Sequence, residues 1–260
     1  MMLTGKTALV TGSTSGIGLG VARALAAQGA SVILNGFGDA DAARREVESQ
    51  RQGDARFGYH GADLSQASAI EDMMRYAERE FGRVDVLVNN AGIQHVSPVE
   101  SFAPERWDAV IALNLTAAFH TTRLAIPAMR AASWGRIINV ASVHGLVASE
   151  GKAAYVAAKH GLVGLTKVTA LETARTGVTC NAICPGWVQT PLVEKQVQAR
   201  AERDGTDIER ARVALLSEKQ PSGAFVTTDD LGALAVFLCS PAASQVRGVA
   251  WTMDGGWTAQ

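Results

Sequence analysis

The chain has 260 residues, with 24 Lys plus Arg against 25 Asp plus Glu and a formal net charge of −1. That length suits one α/β domain, and the balanced charge without a basic block excludes nucleic acid or an anionic membrane as the main partner. Met1–Lys6 leads into the first apolar segment without a signal-peptide core, and the apolar runs read as shorter than the ~18–20 residues of a membrane span, so a cytoplasmic protein is expected.

Strand-like and helical patterns alternate along the chain. Thr7–Val10 reads as a first strand, turning through Thr11–Gly18 into a helix from about Ile17 to Ala27. Gly12, Gly16 and Gly18 let that turn close tightly and offer the helix N-terminus to an anion, which is the geometry of a pyrophosphate site. The spacing is G-x-x-x-G-x-G and not G-x-G-x-x-G. Ser31–Asn35, Arg56–His60 and Val84–Asn89 read as further strands, with helices over Asp39–Gln52, Ser65–Phe81 and about Pro104–Arg130. Arg136–Ala141 precedes a helix around Ala153–Glu172, and Val178–Ile183 precedes a charged excursion. A helix at Asp229–Ser240 and a strand at Val249–Met253 close the pattern. Strands apolar on both faces and separated by helices predict a doubly wound (Rossmann) parallel sheet of about seven strands, all within one domain spanning residues 1–260.

Between about 187 and 221 the rhythm breaks, with charge-rich helical patterns at Glu194–Arg203 and Asp207–Glu218. An insertion beyond a strand's carboxyl end lies over the ligand crevice of such folds, so it reads as a substrate lid. Cys180, Cys184 and Cys239 are an odd number in apolar segments, and no further Cys or His near the first two completes a tetrahedron. They read as reduced, buried thiols, with no metal site expected.

Tyr155 and Lys159 stand four apart and share a helix face. An adjacent ammonium favours phenolate, bringing a phenol toward use as an acid or base at neutral pH. Ser142 closes the fifth strand, where its hydroxyl either holds a reacting oxygen or caps a turn. Asn114 is a polar residue in an apolar helical neighbourhood and needs partners, either backbone or a water beside the lysine. Asn89–Gly92, ending the fourth strand, is small enough for a flat cofactor to approach.

In Thr11–Gly18, Asn89–Gly92, Asn114, Ser142, Tyr155, Lys159 and Pro185-Gly186 the whole chain resembles the short-chain dehydrogenase/reductase family. The resemblance implies a catalytic tetrad: Tyr155 as acid/base, Lys159 lowering its pKa and holding the nicotinamide ribose, Ser142 orienting the reacting oxygen, and Asn114 supporting a water relay. It also implies dinucleotide contacts from Gly12, Thr14, Ser15, Gly16, Ile17 and Gly18. Phe37, Asp63, Leu64, Asn90, Ala91 and Gly92 follow, then Pro185, Gly186, Val188 and Thr190. Asp63 has the competing reading of a helix-start cap. Ser15 stands where NADP-using relatives place Arg or Lys, and Asn35-Gly-Phe-Gly38 carries no base, so NAD is expected. The acidic residue expected at that strand end to hold the ribose is missing too, Asp39 and Asp41 coming too late, which leaves discrimination to the bulk of Phe37 and to backbone.

A narrower resemblance, to the bacterial D-3-hydroxybutyrate dehydrogenases, lies in Ile93-Gln-His95, Ser142–Ala148, Lys152, Pro185–Gln196 and Asp254–Thr258. It implies a small hydroxy/oxo acid as substrate. Gln94, His144, Lys152 and Gln196 would hold its carboxylate beside Ser142 and Tyr155, since charge-assisted bonds are the strong ones. Trp187 and Trp257 would wall the carbon chain, and a homotetramer is implied. Two other readings remain open: a 3-oxoacyl thioester reductase on the same scaffold, and a non-catalytic dinucleotide sensor.

Overall fold

The structure, a computed structural model, describes residues 1–259. Seven parallel strands form one sheet: β1 (Thr7–Val10), β2 (Ser31–Leu34), β3 (Phe57–Tyr59), β4 (Val86–Asn89), β5 (Gly135–Val140), β6 (Val178–Pro185) and β7 (Ala250–Met253). Their spatial order is β3-β2-β1-β4-β5-β6-β7, so the chain reverses its winding between β1 and β4. The crevice outside the carboxyl ends of those two strands is where a doubly wound sheet takes ligands.

Alternation along the strands supplies two apolar layers. Ala8 and Val10 face α1 (Gly16–Ala27), while Leu9 faces the opposite layer with Ile33, Leu87 and Ile137. Ile70 and Met73 of α3 (Ala67–Phe81) complete that second layer. Between these helices, α2 (Ala40–Glu48) is shorter than the expected Asp39–Gln52, because the chain turns toward Gly53, whose φ is +57°. The expected long helix from Pro104 is divided. α4 (Pro104–Ile111) passes through one wide π-type turn, Ala112–Thr116, before α5 (Ala117–Ala131).

That helical stretch, Pro104–Ala131, corrects the expectation drawn from apolar run length. Its mean hydropathy of 1.3 over an 18-residue window makes it long and apolar enough to cross a membrane. Here it lies along the sheet, burying Ala117, Thr121, Ala125 and Met129 beside β4 and β5. The remaining helices are α6 (Ala153–Glu172), the lid pair α7 (Pro191–Asp204) and α8 (Ile208–Ser217), and α9 (Thr228–Cys239). All three cysteines are buried.

Candidate active site

The glycine turn after β1 is fixed from the neighbouring strand. Asn90 donates through Nδ2 to Thr11 O at 3.0 Å and Gly12 O at 2.9 Å, while Thr11 Oγ1 accepts from the backbone of Asn90 and Ala91. Gly12 adopts φ +61°, and a Cβ there would lie 2.8 Å from Ala91 Cα; a Cβ on Gly18 would lie 2.5 Å from Asn90 Nδ2. Ser15, at the start of α1, makes no side-chain capping bond. The first N–H groups of that helix therefore remain for an anion.

A cavity of about 300 Å³ opens in front of the turn. Gly12, Thr14, Ser15, Phe37, Leu64, Asn90, Ala91 and Gly92 line it, as expected. Asn35, Gly36, Ala62, Ile93 and Leu113 line it as well, none of them singled out as a contact from the sequence. Asn35 had one signal, a lone amide closing an apolar strand; its Nδ2 donates to His60 O and Ala62 O and so ties β2 to the chain after β3. Asp63 is exposed and off the lining, accepting from Ser65 N at 2.9 Å. That bond belongs to the turn before α3, whose N-cap is Gln66, so Asp63 does not cap the helix.

A second cavity, of about 140 Å³, adjoins the carboxyl ends of β5 and β6, and all eight expected substrate contacts line it: Gln94, Ser142, His144, Lys152, Tyr155, Trp187, Gln196 and Trp257. Ile17, Gly186, Val188 and Thr190 line it from the dinucleotide side. Ser142 lies two residues beyond β5, where its hydroxyl accepts from His144 N at 3.2 Å and caps the short turn Val143–Gly145. The capping reading and a place in the site are both met.

Lys159 is buried and donates to Val140 O at 2.7 Å, with Nζ 5.5 Å from the centroid of the Tyr155 ring. Burial pushes its ammonium down to about 8. Burial also lifts the Tyr155 phenol above its usual range, the Ser142 hydroxyl drawing it part of the way back. The lowering expected from the adjacent ammonium is not seen; desolvation dominates, and the phenol is neutral at neutral pH. Asn114, in the π-type turn, accepts from Ile93 N at 2.8 Å and donates to Ile93 O at 2.9 Å. Its amide holds the chain after Gly92 in place.

At the far wall, the Lys152 ammonium sits 5.6 Å over the Trp187 ring; burial lowers its pKa, and no carboxylate among the described residues is paired with it. Such a cation suits an anionic ligand. His144 is buried with Nδ1 3.3 Å from Ser142 Oγ and Nε2 3.0 Å from Ser149 Oγ. Burial, with the positive charge of Lys152 and Lys219 nearby, pushes its pKa down to about 4, so the ring is neutral.

The excursion from 187 to 221 does form a helical pair over this cavity. Val193, Val197 and Ala201 of α7 pack on Ala211 and Leu215 of α8, and Arg212 of α8 pairs with Glu194 of α7 at 3.1 Å. Its two stems are joined where Gln220 Oε1 accepts from Trp187 N at 2.8 Å and where Val188 bridges to Val226.

The family model described as short chain dehydrogenase matches residues 6–201. The chain is 72% identical over 259 residues to D-beta-hydroxybutyrate dehydrogenase of Cupriavidus necator, covering 100% of both, and 51% identical over 258 residues to the protein of that name from Rhizobium meliloti, covering 98% and 99%. Among solved structures it resembles L-sorbose reductase from Gluconobacter frateurii complexed with NADPH and L-sorbose, with TM-score 0.94, 29% identity and coverage of 99% and 98%. Levodione reductase gives TM-score 0.90 at 33% identity, covering 99% of each chain.

Proposed function

The chain belongs to the short-chain dehydrogenase family, an oxidoreductase family that uses a nicotinamide cofactor, and from that premise we propose that it interconverts (R)-3-hydroxybutyrate and acetoacetate with NAD. One observation carries the choice of substrate. The desolvated, unpaired Lys152 ammonium shares a small cavity with the hydroxyls of Ser142 and Tyr155. Gln94, Lys152, Trp187 and Gln196 also line an open cleft of about 810 Å³ beside it, so the end of the site that holds Lys152 faces that cleft. The full-length identity to two relatives named for this substrate supports the same reading.

The residues present fit a dinucleotide. Gly12, Gly16 and Gly18 admit a pyrophosphate against the uncapped start of α1, and Thr14, Phe37, Leu64 and Asn90–Gly92 wall the larger cavity. A 2′-phosphate finds no cation on the cavity lining, where Ser15 and Phe37 occupy the near positions. NAD is thereby favoured. When bound, it supplies the hydride acceptor.

Ser142 donates to the C3 oxygen and orients it, and Tyr155 exchanges a proton with that oxygen. In reduction the neutral phenol gives up its proton. In oxidation it must first lose one, and Lys159 is the buried cation beside its ring. Lys159 also holds the ribose, and Asn114 supports the site through Ile93. The carboxylate lies on Lys152 with Gln94 and Gln196, while Trp187 and Trp257 enclose the chain end. His144 forms the floor, its ring nitrogens already engaged by two serine hydroxyls. A homotetramer is part of the same proposal and rests on the family resemblance.

The test is NADH formation with each enantiomer of 3-hydroxybutyrate. Turnover of the (R) form well above the (S) form is expected. Tight NAD binding without turnover would favour a sensor, and preference for a 3-oxoacyl thioester with NADPH would favour the reductase.

A further inference from the structure

We propose that Gln220 is a positioning residue that sets both tryptophan walls of the smaller cavity and, with them, the site's hold on substrate. The proposal rests on the reading of Trp187 and Trp257 as the walls of the substrate site. Gln220 lines neither that cavity nor the dinucleotide cavity, and it belongs to none of the motifs that carry the family resemblance. It is buried just past α8, at the exit of the helical excursion whose entry is Trp187.

Three segments meet on its side chain. Oε1 accepts from Trp187 N at 2.8 Å, and Nε2 donates to Ala224 O. Trp187 N has no other acceptor among the described residues, while Trp187 O accepts from Val226 N at 2.9 Å. The entry of the excursion is thus bound to its exit on both sides of the tryptophan. The third segment is the loop that carries Trp257, where Ser222 N donates to Gly255 O at 2.9 Å. A Cβ on either Gly186 or Gly255 would lie 2.6 Å from the Gln220 side chain, so both backbones close on it. The two indole rings stand 5.9 Å apart, with the Lys152 ammonium 5.6 Å over the first and the His144 ring 5.6 Å from the second.

The position demands an amide. It must accept from one peptide N–H and donate to one carbonyl at the same time, in a place closed to water. A carboxylate lacks the donor, an ammonium lacks the acceptor, and an aliphatic chain lacks both. Without the two bonds, the arrangement that encloses a substrate becomes a smaller share of the free enzyme, and apparent affinity falls by that share. The chemistry of bound substrate is left as it was. Ser142 follows β5 and Tyr155 and Lys159 stand on α6, elements to which the Gln220 side chain makes no hydrogen bond among the described residues.

Gln220→Met, similar in length but without donor or acceptor, is the test, and Gln220→Asn, an amide one methylene short, is the milder variant should the first not fold. In substrate-free full-length protein, trypsin should cut within residues 187–221 about 5-fold faster or more in Gln220→Met than in wild type, with the rest of the chain cut no faster. In turnover, KM for (R)-3-hydroxybutyrate should rise about 5- to 50-fold, the worth of one to two hydrogen bonds, with kcat and the Kd for NAD within about 3-fold and Gln220→Asn in between. Equal cutting of variant and wild type, or cutting hastened along the whole chain, would overturn the proposal. So would an unchanged KM or a loss confined to kcat. A wild type that does not turn over 3-hydroxybutyrate would instead overturn the reading on which the proposal rests, and the trypsin result, taken without substrate, tells the two failures apart.

Discussion

Lys159 donates to Val140 O at 2.7 Å while its Nζ stands 5.5 Å from the centroid of the Tyr155 ring, so a backbone carbonyl fixes the ammonium beside the phenol ring. The two residues share a face of α6, yet they are not equivalent. Tyr155→Phe should remove nearly all turnover and leave NAD affinity within a few-fold, because ring and backbone are kept. Lys159→Ala should raise the Kd for NAD and lower kcat together. Retention of more than about a tenth of the wild-type rate in Tyr155→Phe would exclude the acid/base role, since such catalysis contributes about 10²–10⁴-fold.

Burying Lys159 costs stability, and the sign follows from its pKa of about 8 against an ordinary 10.5. Between those values the unfolded chain holds a proton that the folded chain has released, so stability rises with pH from about 8 to 10.5, and the full penalty is present below 8. Lys159→Met should therefore be inactive yet more stable at pH 7, by about 1–3 kcal/mol, the bare Val140 O offsetting part of the gain. Calorimetry at pH 7 and pH 10 checks this. A Lys159→Met protein less stable than wild type at pH 7 would contradict the assigned cost.

His144 gives the corresponding window in acid. Its folded pKa of about 4 against 6.5 means the unfolded chain is protonated first, so stability is lost as pH falls from about 6.5 to 4. The loss assigned to this one group is on the order of 2–3 kcal/mol. Urea titrations at pH 7 and 4 should give a smaller difference for His144→Gln than for wild type by about that amount, and equal differences would show that the ring is charged when folded.

For the cofactor, NAD should be preferred over NADP in kcat/KM. Phe37 is 74% exposed at the cavity rim, and its carbonyl is fixed by Thr14 Oγ1 at 2.6 Å, so a side chain there projects without disturbing the turn. Phe37→Arg should raise kcat/KM for NADP about 10-fold or more, through a charge-assisted bond to the 2′-phosphate. Wild-type kinetics favouring NADP would contradict the charge argument.

The doubly wound parallel sheet was legible from the alternation of apolar strands and helices, and the eight pocket residues from the family resemblance and its motifs. The π-type turn at Ala112–Thr116 was not, since one wide turn hardly disturbs the apolar stripe that periodicity reads. Asp63, placed at the crevice by motif order, stands between Ala62 and Leu64, which both line the cavity, and accepts from Ser65 N through one oxygen. Asn35 and Ala62 went unseen because their role depends on β2 and β3 lying side by side, which local pattern does not encode. The raised Tyr155 pKa was likewise hidden, for spacing reveals the neighbouring ammonium and not the burial that lifts the phenol.

The carboxylate claim is tested most directly by comparing kcat/KM for (R)-3-hydroxybutyrate and for its methyl ester in wild type and Lys152→Ala. A charge-assisted bond is worth about 1.5–3 kcal/mol, so the acid should lose about 10- to 150-fold and the ester much less. Equal losses for the two substrates, or a wild-type enzyme that prefers the ester, would contradict recognition of the acid by Lys152.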